Sequence, residues 1–105
     1  MDRDNVPDKI VVVCDPELED IIPAYLEGRK TEGSVIRELA VNGQFDEVRT
    51  IAHGLKGSGG CYGFSRITEI GRDMELAAND GNLVEVLKQL DTLEAYLQAI
   101  EVRYE

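Results

Sequence analysis

Residues 82–104 read Asn82-Leu83-Val84-Glu85-Val86-Leu87-Lys88-Gln89-Leu90-Asp91-Thr92-Leu93-Glu94-Ala95-Tyr96-Leu97-Gln98-Ala99-Ile100-Glu101-Val102-Arg103-Tyr104, and this segment decides the fold. Leu83, Val86, Leu87, Leu90, Leu93, Leu97, Ile100 and Tyr104 recur at steps of three and four, the spacing that lines one face of an α-helix. Asn82, with Glu85 three residues later, has the form of a capping box at the start. The stripe predicts one amphipathic helix running through Tyr104, which must bury its apolar face on other helices.

The segments before it repeat the pattern. Asn79-Asp80-Gly81 ends a helix whose inner stripe is Ile67, Ile70, Gly71, Met74, Ala77 and Ala78. A loop through Cys61-Tyr62-Gly63 separates it from a helix of about Phe45 to Gly60, with Phe45, Val48, Ile51, Ala52 and Leu55 on one side. Gly59 and Gly60 fit the fraying end of that helix. Asn42-Gly43 is a stop signal for an earlier segment. That segment starts at Asp15-Pro16, a capping side chain before a first-turn proline. Leu18, Ile22, Leu26, Ile36, Leu39 and Ala40 carry its stripe to about Val41, and Pro23 must kink or restart it. Lys9 to Val13 is β-branched and reads locally as a strand, but nothing else in the chain looks like a strand to pair with it. An extended arm packed on helices is therefore expected. The fold class is all-α: an antiparallel up-down-up-down four-helix bundle over residues 15–105, with an arm over residues 1–14 and a short or kinked first helix.

With 105 residues, 43% hydrophobic and 30% charged, the chain has room for one hydrophobic core. Eleven basic residues against 21 acidic ones leave a formal charge of −10. Such a surface repels phosphate backbones and anionic lipids, so neither nucleic acid nor membrane is an expected partner. No apolar run reaches the roughly 20 residues needed to span a bilayer. The polar start Met1-Asp2-Arg3-Asp4 lacks the form of a signal peptide, so a cytoplasmic location is expected. Cys14 and Cys61 show no CxxC spacing and are expected as reduced thiols. With a single histidine, a zinc site is not expected.

That histidine is the most informative residue for function. On a wheel of about 100° per residue, His53 falls away from the apolar stripe of its helix, beside Asp46, Arg49, Thr50, Lys56, Gly57 and Gly60. Lys56 is three residues on and Gly57 four, both neighbours of the imidazole on a helix. A glycine inside a helix costs about 1 kcal/mol relative to alanine. At Gly57, on the histidine's own face, that cost makes sense if another molecule must come close. Neutral imidazole offers a nucleophilic nitrogen near pH 7. Lys56 and Arg49, flanking it on the same face, would supply positive charge to a phosphoryl group, whose transfer depends mainly on positioning and charge. Nothing resembles a Walker loop, a kinase glycine-rich loop or a carboxylate metal cluster. A phosphate source and the Mg²⁺ are thus expected on a partner, and no cofactor is expected on this chain.

His53-Gly54-Leu55-Lys56-Gly57-Ser58, with Gly63 after it and Met74-Glu75 on the next helix, resembles the motif of histidine-containing phosphotransfer (HPt) domains. The resemblance spans roughly Asp15 to Tyr104. It implies a four-helix bundle that shuttles phosphate between aspartates of response-regulator receiver domains in a multistep His-Asp phosphorelay. It makes the protein a covalent phosphocarrier and not a turnover enzyme, with the Mg²⁺ on the receiver. By that likeness His53 is the phosphoacceptor, Lys56 stabilises the phosphate and Gly57 keeps the ring accessible, while Ser58 and Gly63 are structural. Expected partners are receiver domains and a hybrid or chemotaxis-type histidine kinase. Two other readings stay open: the phosphoacceptor module of a chemotaxis-type kinase, and a helical adaptor whose histidine is incidental.

Overall fold

A computed structural model of the chain describes residues 9–105. Residues 1–8 of the expected arm, with the polar start Met1–Asp4, lie outside them. The order of elements is β1 (Ile10–Cys14), a 3₁₀ turn (Pro16–Leu18), α1 (Ile22–Val41), α2 (Phe45–Cys61), α3 (Ser65–Asn79), α4 (Leu83–Ala99) and β2 (Ile100–Tyr104). The four helices form a bundle, and α2 with α3 is its most extensive pairing.

The start signals act close to where they stand, with one correction. Asp15 does cap, accepting a hydrogen bond from the Glu17 amide at 2.9 Å. It opens only the three-residue 3₁₀ turn, and α1 begins at Ile22 with Pro23 in its first turn. There the missing N–H is one of the amides that no helix can pair. The expectation of a short or kinked first helix is overturned: α1 has 20 residues, and the proline restarts the chain instead of breaking a helix interior. At α4 the Asn82 side chain accepts from the Glu85 amide at 3.1 Å. The reciprocal half of the capping box is not made: the Asn82 amide donates to the Ala77 carbonyl at 2.9 Å, and the Glu85 carboxylate accepts from Gln89 at 2.8 Å. Each join between helices turns at a glycine of positive φ: Gly43 at 75°, Gly63 at 91° and Gly81 at 64°.

The larger correction lies at the chain's two ends. α4 stops at Ala99, and Ile100 leaves the helix with ψ 144°. Ile100 and Tyr104 continue the helical spacing of the stripe, yet Ile100, Val102 and Tyr104 also alternate as a strand does. What decides between the two is β1. Its backbone donors and acceptors need a partner, and β2 supplies one as a parallel neighbour, Ile10 opposite Ile100, Val12 opposite Val102 and Cys14 opposite Tyr104. The Glu105 amide adds a bond to the Cys14 carbonyl at 3.1 Å. From Ile10 to Cys14 the arm is thus a paired strand.

The core is apolar throughout the described residues, with no buried polar or charged side chain. Ile36 of α1, Val48 and Leu55 of α2, Phe64 of the join, Ile67, Ile70 and Met74 of α3, and Leu90 and Leu93 of α4 are fully buried. Each such side chain contributes about 1.5–3 kcal/mol. Leu83, assigned to the apolar face of α4, stands exposed, and Tyr96 is buried on that helix instead. Gly59 does not mark a fraying end, because α2 continues to Cys61 and packs on α3 there. A Cβ at Gly59 would lie 2.7 Å from the Thr68 amide nitrogen and 2.8 Å from the Phe64 carbonyl oxygen. Among the described residues no helix is long and apolar enough to cross a membrane.

Candidate functional site

α2 turns Val48, Ala52 and Leu55 inward and leaves His53 outward. The imidazole is 68% exposed, so it is reachable by another macromolecule. Its neighbours come from two helices. Lys56 stands one turn on along α2, and Glu75 reaches across from α3.

Glu75 organises the site. One carboxylate oxygen, Oε2, lies 3.1 Å from His53 Nδ1, and the other, Oε1, lies 2.9 Å from Lys56 Nζ. The hydrogen bond from the Lys56 ammonium, reinforced by His53 and outweighing the cost of burial, holds the Glu75 carboxyl below the usual carboxylate range. At neutral pH Glu75 is therefore ionised and can only accept. In the neutral imidazole the proton then sits on Nδ1, and the lone pair is left on Nε2. Among the described residues none hydrogen-bonds to Nε2. The arrangement presents one unprotonated ring nitrogen to solvent with an ammonium close by.

The other residues singled out in the sequence divide. Gly57 is exposed, and no atom lies within 4 Å of where its Cβ would stand; the same holds for Gly54. Arg49 lines a shallow depression with Thr50, His53 and Glu75. Its guanidinium is already engaged, 3.3 Å from an Asp46 carboxylate oxygen and 3.2 Å from the Asn79 side-chain oxygen that accepts from it. Thr50 donates to the Asp46 carbonyl at 3.1 Å. Ser58 faces away toward α1, its hydroxyl 3.0 Å from that of Tyr25 and accepting from Arg29 at 3.4 Å. The Arg29 guanidinium also lies over the Tyr25 ring at 4.8 Å, so Ser58 joins α1 to α2. Cys14 is buried, Cys61 exposed, and both are free thiols. Among the described residues no three His, Cys, Asp or Glu side chains stand together as a metal site.

Residue spacing along α2 does not reveal that Glu75 pairs with both His53 and Lys56. The signal available was position: Glu75 adjoins Met74 of the inner stripe and lies one turn beyond Gly71, so it borders the α2–α3 seam. Asn79, which holds Arg49, lies a further turn along the same helix.

A comparison with protein-family models matches residues 17–102 to the Hpt domain. Comparisons with curated proteins and with solved structures give no match. The family match covers the four helices and the histidine site together, and the chain belongs to the Hpt domain family of histidine phosphotransfer modules in two-component signalling.

Proposed function

We propose that His53 is the phosphoacceptor and that the protein is a phosphocarrier relaying phosphoryl groups between aspartates of receiver domains in a multistep His-Asp phosphorelay. The observation that carries this reading is the Glu75–His53 contact at 3.1 Å on an exposed ring, which leaves Nε2 as the nucleophile. Nε2 attacks the phosphorus of an aspartyl phosphate, the N–P bond forms, and the P–O bond breaks with its electron pair leaving on the aspartate carboxylate. The ring then carries a positive charge, and ionised Glu75 at Nδ1–H offsets it without moving. In the onward step a receiver aspartate attacks the phosphorus and neutral imidazole departs. Lys56 is one turn along α2 from His53 and can turn from Glu75 to the phosphoryl oxygens; Arg49, one turn to the other side, needs release from Asp46 and Asn79 first. The Mg²⁺ that such transfer uses belongs to the receiver.

Gly57 leaves the flank of the ring open to a docking surface. Successive α2–α3 contacts step in opposite senses along the two helices, Gly59 with Thr68 and Arg49 with Asn79, which supports the antiparallel up-down-up-down order for the bundle. A cytoplasmic location agrees with this function.

The test is to mix the domain with phosphorylated receivers and follow acid-labile phosphate. Phosphate appearing on His53 and passing to a second receiver supports a relay. Phosphate gained only from an ATP-bearing kinase domain points instead to the phosphoacceptor module of a chemotaxis-type kinase. Acid-stable phosphate on another residue, or none, overturns the assignment and favours an adaptor.

A further inference from the structure

At Gly71, α3 touches the backbone of α2. A Cβ built there would stand 2.5 Å from the Lys56 amide nitrogen, 2.9 Å from the Ala52 carbonyl oxygen and 2.9 Å from the Leu55 Cβ. Two of these are main-chain atoms, which cannot swing aside as a side-chain tip can. Any side chain at position 71 therefore obliges one helix to back away from the other.

The stretch that Gly71 presses on, Ala52 to Lys56, holds both His53 and Lys56. Glu75 lies one turn beyond Gly71 on the same helix. Its two oxygens make their contacts at 3.1 Å to His53, toward the long end of the ordinary N–H···O range, and at 2.9 Å to Lys56, in the middle of it. A retreat of α3 by a few tenths of an ångström lengthens both. We propose that Gly71 is a positioning residue for His53: its missing side chain brings α3 close enough for Glu75 to hold Nδ1–H and the Lys56 ammonium together, which directs the free lone pair to Nε2.

Gly59 provides an internal comparison. It makes the same kind of backbone approach, 2.7 Å to the Thr68 amide nitrogen and 2.8 Å to the Phe64 carbonyl oxygen, at the other end of the α2–α3 seam. Substituting it strains the same helix pair but leaves the Glu75 end in place.

The inference rests on the reading of His53 as phosphoacceptor only for its functional consequence; the test of geometry uses no phosphate. Imidazole nitrogen NMR of ¹⁵N-labelled protein reports which ring nitrogen carries the hydrogen. The wild type is expected to show the Nδ1–H tautomer, Gly71→Ala a shift toward Nε2–H, and Gly59→Ala no shift despite lower stability. Phosphotransfer from a phosphorylated receiver is expected to fall roughly tenfold in Gly71→Ala, in the range seen when a group that orients a reactive ligand is lost. Should Gly71→Ala fail to fold, Glu75→Asp in the native backbone decides, because it withdraws the carboxylate by one carbon without touching the seam. A shifted tautomer there supports the proposal. An unchanged tautomer in Gly71→Ala, or in Glu75→Asp, means the spacing has slack and overturns it, as does an equal shift in Gly59→Ala. A wild type that shows the Nδ1–H tautomer and its expected shift in Gly71→Ala, yet takes no phosphate from a phosphorylated receiver, counts against the phosphoacceptor reading alone.

Discussion

Lys56 Nζ stands 2.9 Å from Glu75 Oε1, so this cation, one turn along α2 from His53, already has an anionic partner before any phosphate arrives. The same carboxylate's second oxygen meets His53. Charge at the site is therefore balanced at rest, and a phosphoryl group must compete with Glu75 for Lys56.

Removing either partner should act on transfer more than on folding. Lys56→Ala is expected to slow phosphotransfer while the helices remain intact, since the side chain is over one-third exposed. Rapid-quench measurement of phosphate on His53 checks this; rates equal to the wild type would mean that Lys56 serves only as the ion-pair partner of Glu75.

The depressed Glu75 carboxyl gives a pH signature with a definite sign. A carboxylate whose folded-state pKa is lowered contributes stability that is full above its unfolded value, about 4.3 for glutamate, and is lost as pH falls through the folded value. The difference in urea midpoint between the wild type and Glu75→Gln should thus be full at pH 7 and shrink as the pH is lowered past the ordinary glutamate range. A gap that does not narrow on acidification would assign the difference to packing instead.

His53→Gln should abolish phosphotransfer and leave thermal unfolding within about 0.5 kcal/mol of the wild type, as expected of a surface substitution. The ring is 68% exposed and no core contact is lost. Circular dichroism melting beside the transfer assay checks both halves.

Gly57 and Gly54 offer the reverse pairing of effects. Neither has an atom within 4 Å of its absent Cβ, so alanine fits at both and should stabilise α2 by up to about 1 kcal/mol. A bulky residue at Gly57 should nevertheless slow transfer from a cognate receiver, because it covers the approach to His53. A stabilised variant that keeps its full rate would remove the access role.

The strand pair makes its own prediction. Val12→Pro, opposite Val102, removes a ladder donor and is expected to cost about 1–3 kcal/mol. The His53 tautomer, set at the α2–α3 seam, should not change. Chemical denaturation and imidazole NMR on one sample test the two together.

The four helices, their stops at Asn42, Asn79 and Gly81, and the outward placement of His53 were legible from residue spacing, because helical periodicity and glycine turns are local properties of the chain. Sequence by itself therefore determined the bundle, the motif and the exposed imidazole beside Lys56 and Gly57. It did not determine the fate of Ile100 to Tyr104, whose side chains suit a helix stripe and a strand equally; pairing with Ile10 to Cys14 at the far end of the chain settled that. Nor did it determine that one carboxylate on α3 joins His53 to Lys56. That depended on how closely two helix backbones approach at Gly71, a distance fixed by packing across the seam and carried by no local pattern.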